Sequence, residues 1–210
     1  MKSIFVLLAL LFTFQISAQQ FEGEIAYSIS YLQVPKEMEG MESMLPTVMT
    51  YYFSGDKMAI QQDMMFGSQS VVVDNATNTG FVLMDMMGQK TAIKVDTTKG
   101  EEETAAPTVT KTSETNKIAG YNCTKYLVKN EGMDDMEAWV TTELKAKMGA
   151  KSPFGTVDGF PLEYVTFQDG VKTRFTVTSV SEKTIESTKF EIPEDYTIMT
   201  EEEMNSMGGE

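Results

Sequence analysis

Methionine offers more chemistry than any other residue type in this chain, at 17 of 210 residues against no histidine. Met38, Met41 and Met44 follow the spacing M-x-x-M-x-x-M, and a helix over residues 36–45 would align them in one stripe, although Gly40 weakens that helix. Met64-Met65-Phe66 and Met84-Asp85-Met86-Met87 place further thioethers at the ends of apolar runs. A thioether is soft, polarizable and carried on a flexible chain. It fills core gaps, lines adaptable apolar surfaces, and ligates Cu(I) without help from imidazole. Three readings follow. In one, these residues are ordinary core. In another, Met38, Met41, Met44 and Leu45 form a lid over an apolar groove lined by Met64, Met65, Phe66, Met84, Met86, Met87 and Trp139. In the third, Met38, Met41 and Met44 bind Cu(I).

Most other chemistry is excluded by what is missing. Without histidine there is no imidazole proton carrier and no histidine-based hydrolytic triad. No nucleophile–base pair stands out, no glycine-rich phosphate loop follows a strand, and neither CxxC nor a zinc ligand set is present. The expectation is therefore a non-enzymatic protein with no cofactor. Carboxylates such as Glu22, Glu24 and Glu101 to Glu103 read as solvated faces. Net charge is −14, or −15 without Lys2, which argues against nucleic acid and against charge-driven contact with anionic headgroups. Arg174 is the sole arginine, so a bidentate anion clamp is not expected. Cys123, the sole cysteine, reads as a small buried hydrophobe rather than as a reactive thiol.

Strands must position these residues. Residues 1–18 read as a cleaved secretory signal, with Lys2 before a short apolar run and Ala18 before the cleavage point. No later run is long enough to cross a membrane as a helix. The remaining 19–210, about 190 residues, suit one domain. Phe21, Ile25, Tyr27, Ile29 and Tyr31 alternate with Glu22, Glu24, Ser28 and Ser30, the period of a half-buried strand. Strand signals recur over 48–53, 58–65, 69–73, 81–86 and 90–95, with turn residues between them. Residues 96–116 carry almost no large apolar side chains and read as a mobile loop. Later strands run from 121 through 128, and over 136–141, 162–167 and 171–180. A short helix is expected over 143–148, and the Thr200-x-x-Glu203 capping box starts another. About ten strands with so little helix must curl into a barrel or half-barrel to hide an apolar face.

Several segments resemble a family of exported bacterial domains of unknown function, DUF4412. They are Phe21-Glu22-Gly23-Glu24-Ile25, the run from Tyr52 to Met58, the run from Ile118 to Tyr126, Ala138-Trp139-Val140-Thr141, and the run from Phe190 to Tyr196. That family is similar to the periplasmic lipoprotein carriers of the LolA/LolB type. The resemblance implies a mainly β fold: a curved antiparallel half-barrel with one to three short helices covering the concave face, which holds acyl chains. It also implies export to the periplasm of a Gram-negative bacterium. The arginine with which those carriers latch their lid has no counterpart in the early strands here. The expectation is thus an exported protein that holds a lipid or acyl chain on the concave face. The alternatives are Cu(I) handling and a structural or interaction role without a small ligand.

Overall fold

The alternation that begins at Phe21 becomes a strand with a strictly two-sided burial pattern. In this computed structural model the described residues are 20–96, 107–129, 135–146, 148, 154, 157–200 and 203. They contain β1 (Gly23–Gln33), β2 (Val48–Ser54), β3 (Lys57–Met64), β4 (Gly67–Asp74), β5 (Thr79–Met86), β6 (Gln89–Asp96), β7 (Thr108–Ile118), β8 (Tyr121–Lys129), β9 (Met136–Thr141), β10 (Phe160–Gln168), β11 (Val171–Glu182) and β12 (Thr197–Thr200). All twelve form one sheet in the order β12-β6-β5-β4-β3-β2-β1-β11-β10-β9-β8-β7. Neighbours are antiparallel except β12, which lies parallel to β6. The protein is mainly β, a curved open half-barrel as expected, with twelve strands where the sequence signals about ten.

Ring contacts demonstrate the curvature. Strands β2 and β10 stand three strand spacings apart, about 14 Å on a flat sheet. Yet the rings of Phe53 and Phe160 lie 5.8 Å apart, and those of Tyr51 and Phe160 lie 6.4 Å apart. The sheet bends inward around this aromatic cluster, which with Ile25, Tyr27, Leu162, Tyr164 and Val177 forms the main core.

The chain then returns over the outside. After β11, near the middle of the sheet, residues 183–196 cross the convex face. There Ile185 and Phe190 bury themselves against Ala59, Val72, Tyr52 and Phe81. Lys189 lies 4.6 Å above the Tyr52 ring. This strap ends as β12 on the far edge, with Lys90 of β6 paired to Asp195. At its end the expected capping box is formed. Glu203 N donates to Thr200 Oγ1 at 3.2 Å, and Thr200 N donates to Glu203 Oε2 at 2.8 Å.

Four local readings need correction. Residues 108–116, expected in a loop, are part of β7. As an edge strand it needs no apolar face, and its threonines supply the β-branched stiffness that extended backbone favours. The expected helix over 143–148 is absent from its described residues: Leu144 and Ala146 turn inward while Lys145 faces out, the alternation of extended chain. Residues 36–45 form two separate 3-10 turns, Lys36–Met38 and Glu42–Met44, parted at Gly40 with φ +83°. The third such turn, Ser187–Phe190, lies on the convex face, so it does not roof the concave one. The signal at 1–18 lies outside the described residues, as do most of 96–107 and, apart from the helical Glu203, the helix expected beyond Thr200.

Candidate functional site

Each strand of the half-barrel presents alternate residues inward, and cross-strand pairing extends each inward position into a row. One row runs Ile25, Tyr51, Ile60, Val71, Val82, Ile93, Met199. The row beside it, nearer one end of the barrel, runs Tyr27, Met49, Gln62, Gln69, Met84, Thr91. The next pairs Met64 with Gly67, and Gly67 with Met86. The concave face is thus continuous across the sheet, but its two halves differ.

Over β2, β1, β11, β10 and β9 the face is filled. Leu144, Ala146, Phe154 and Val157, from the segment joining β9 to β10, are buried in the main core, with the Phe154 ring 4.9 Å from Tyr164. A cleft of about 590 Å³ beside this plug is lined by Leu144, Ala146, Phe154 and Val157 together with Gln20, Lys145 and Asp158. Over β3 to β6 the face is only partly covered: Met58 and Ile93 are buried. Val71, Val82, Met84 and Met64 are only partly buried and belong to neither packed cluster. Ile60 and Val73 join this open half to the core. The result is an aliphatic and thioether floor with Gln62 and Gln69 as its polar members.

The end of the barrel beyond Met64 and Met86 is where the apolar residues become solvent-exposed. It gathers the β3–β4 and β5–β6 turns, the segment after β1, the start of β2 and the end of β10. Leu32, Met41, Met44, Val48, Met65, Phe66, Met86, Met87 and Phe167 are all exposed there, Met87 by 87 %. The two turns are tied together, since Met87 N donates to Phe66 O at 2.9 Å. Met87 also holds a left-handed backbone, φ 54°, followed by Gly88 at 85°. Such a turn favours Asn-Gly; a bulky side chain is strained in it.

The residues named from sequence are therefore placed as follows. Met64, Met84 and Met86 lie on the concave floor or its edge, and Met65, Phe66 and Met87 on the exposed rim. Met38 and Leu45 are partly buried, while Met41 and Met44 are exposed; Met38 ends the first turn whereas Met41 caps the second, which holds Met44, so the single helical stripe does not form. Trp139 is turned away from the groove. It pairs in register with Lys125 and Glu163, and Glu163 accepts from Thr176 Oγ1, the pattern of the polar outer face. In β9 it is Ala138 and Val140, either side of Trp139, that point to the core. Ile60, Val71, Val82, Ile93 and Met199 complete the floor, and a reading centred on methionine misses them. Alternation within their own strands is the signal that marks them.

Burial holds several titratable groups of the core neutral. The Tyr27 hydroxyl donates to Pro161 O at 2.5 Å, and burial raises its pKa well above 10.0. Burial likewise raises Tyr51 and Tyr164, which share a hydrogen bond. Burial pushes the Cys123 thiol up to about 11, the opposite of an activated nucleophile. Among the described residues no group of three His, Cys, Asp or Glu is placed to hold a metal ion.

The model of DUF4412, a domain of unknown function, matches residues 36–150. The chain belongs to this family. Among solved structures, this DUF4412 chain is similar to an uncharacterized conserved protein from Thermus thermophilus. Identity is 10 %, the TM-score is 0.51, and the match covers 85 % of this chain and 91 % of that one. That likeness is one of fold. A chain of the MucA/MucB complex of Pseudomonas aeruginosa matches at 10 % identity and TM-score 0.47, over 86 % of this chain and 59 % of its own. LprF from Mycobacterium bovis matches at 10 % identity and TM-score 0.34, over 84 % and 90 %. No curated protein matches the chain. Among the described residues no helix is long and apolar enough to cross a membrane.

Proposed function

We propose that this DUF4412 protein is an exported, non-enzymatic carrier that holds a lipid or other acyl chain on the open half of its concave face. The observation that carries the reading is the partly exposed apolar floor of Val71, Val82, Met84 and Met64, continuous with the exposed rim at Met86 and Met87. A curved floor of flexible and aliphatic side chains fits a partner whose shape is not fixed. Each methylene covered contributes about 0.8 kcal/mol, so about ten give roughly 8 kcal/mol before the cost of ordering the chain. Binding of micromolar strength or weaker is the scale to expect. Residues 1–18 would direct export to the periplasm and leave 19–210 as one domain.

The test is to secrete the full chain from a Gram-negative host, purify it without detergent, and examine it by native mass spectrometry and organic extraction. The expected result is a ligand-bound population that releases acyl-chain lipid, in molar amounts comparable to protein. A ligand-free protein that also fails to take up added lipid would contradict the proposal and leave a structural or interaction role.

A further inference from the structure

The exposed rim is built largely of methionine, and among the described residues exposure sets its methionines apart from those of the core. Met41, Met44, Met65, Met86 and Met87 are exposed, at 46 %, 38 %, 57 %, 44 % and 87 %, and all five sit at the same end of the half-barrel. Met49, Met58 and Met136 are in the packed core at 8 % or less. Leucine would give the rim the same bulk and apolarity, but only the thioether reacts with mild oxidants.

We infer that this rim is an oxidation site that switches ligand holding off: exposed Met65, Met86 and Met87 are converted to sulfoxides by a two-electron oxidant such as hypochlorous acid, and the groove loses its apolar mouth. The reaction balances simply. The sulfur gains one oxygen atom and loses two electrons, and hypochlorous acid is reduced to chloride with release of one proton. The product side chain is polar and chiral. At Met86 it would place a strong acceptor on the edge of the concave floor; at Met65 and Met87 it would hydrate both tied turns. None of the three belongs to either packed cluster, so the fold would survive the change that the groove does not. This inference rests on the proposed ligand-holding function.

The experiment titrates the full chain with hypochlorous acid, locates each added oxygen by peptide mass spectrometry, and follows three readouts. These are thermal unfolding, fluorescence of the uncharged apolar dye N-phenylnaphthylamine, and retention of an added phospholipid. Met87, Met65 and Met86 should oxidise before Met49, Met58 and Met136. Dye and lipid binding should weaken about tenfold with the melting temperature unchanged, and methionine sulfoxide reductases of both stereospecificities should restore binding. In the triple variant Met65→Leu, Met86→Leu, Met87→Leu, whatever binding is present before treatment should be retained after it. Oxidised wild type that binds as well as untreated protein, or a triple variant that loses binding equally, would overturn the inference. Untreated protein that binds neither probe would instead overturn the underlying function.

Discussion

Met87 concentrates the case at the scale of a residue. It combines a left-handed backbone with 87 % exposure of a large apolar side chain, two features that stability alone would remove. Replacing it with Gly or Asn should stabilise the fold by about 1 kcal/mol, read as a higher urea midpoint with an unchanged slope. A lower midpoint would mean that the side chain packs in a way its exposure denies. Buried Cys123, Tyr27 and Tyr164 make a second prediction. An unfolded thiol starts to ionise near pH 9.0, whereas Cys123 in the fold waits until about 11, and the phenols hold their protons well above 10.0. The folded chain then binds more protons than the unfolded one. Stability should be full below pH 9.0 and fall as pH rises through 11, with a smaller fall for Cys123→Ala. Thiol reagents should leave Cys123 untouched in the native protein near neutral pH and label it in urea. Labelling at equal rates would show that the site opens.

The strap that becomes β12 is where a prediction belongs to an element. Lys90 holds the Asp195 carboxyl below the usual 3.8, and bonds to Thr200 hold Glu203 below 4.5. Both groups therefore support the strap above the ordinary carboxylate range and stop doing so as pH falls through their lowered values. Hydrogen exchange at the β6–β12 pairing, corrected for intrinsic rates, should accelerate in acid before that of β1, β2 and β11. Lys90→Met should remove part of this pH dependence; uniform acceleration across the sheet would contradict it. The same scale shows what sequence reveals and what it hides. Strands with one buried face are legible, because alternation such as Ile25, Tyr27, Ile29 directly records a two-sided environment. Strand β7 is hidden because an edge strand facing solvent has no apolar record to read. Two 3-10 turns replace a methionine helix because Gly40 adopts a positive φ, a choice that spacing alone does not disclose.

For the whole molecule, one concave face divides into a packed half that holds the fold together and a partly covered half where a ligand is proposed to sit. The curvature is legible from many strands and little helix. The division is not, since Leu144 and Ala146 read locally as part of a short helix and Phe154 and Val157 as loop residues, and only the bent sheet brings them over Tyr164 and its neighbours. Neighbouring residues on β4 separate the two faces most cleanly: Val71 lies on the floor between Ile60 and Val82, whereas Ser70 points to the convex side between Gln61 and Leu83. The decisive measurement is phospholipid binding by native mass spectrometry for wild type, Val71→Glu and Ser70→Glu, each first confirmed as folded by circular dichroism. A ligand-holding groove predicts bound lipid in wild type and Ser70→Glu and its loss in Val71→Glu. Equal binding by folded Val71→Glu would place the lipid elsewhere and contradict the account.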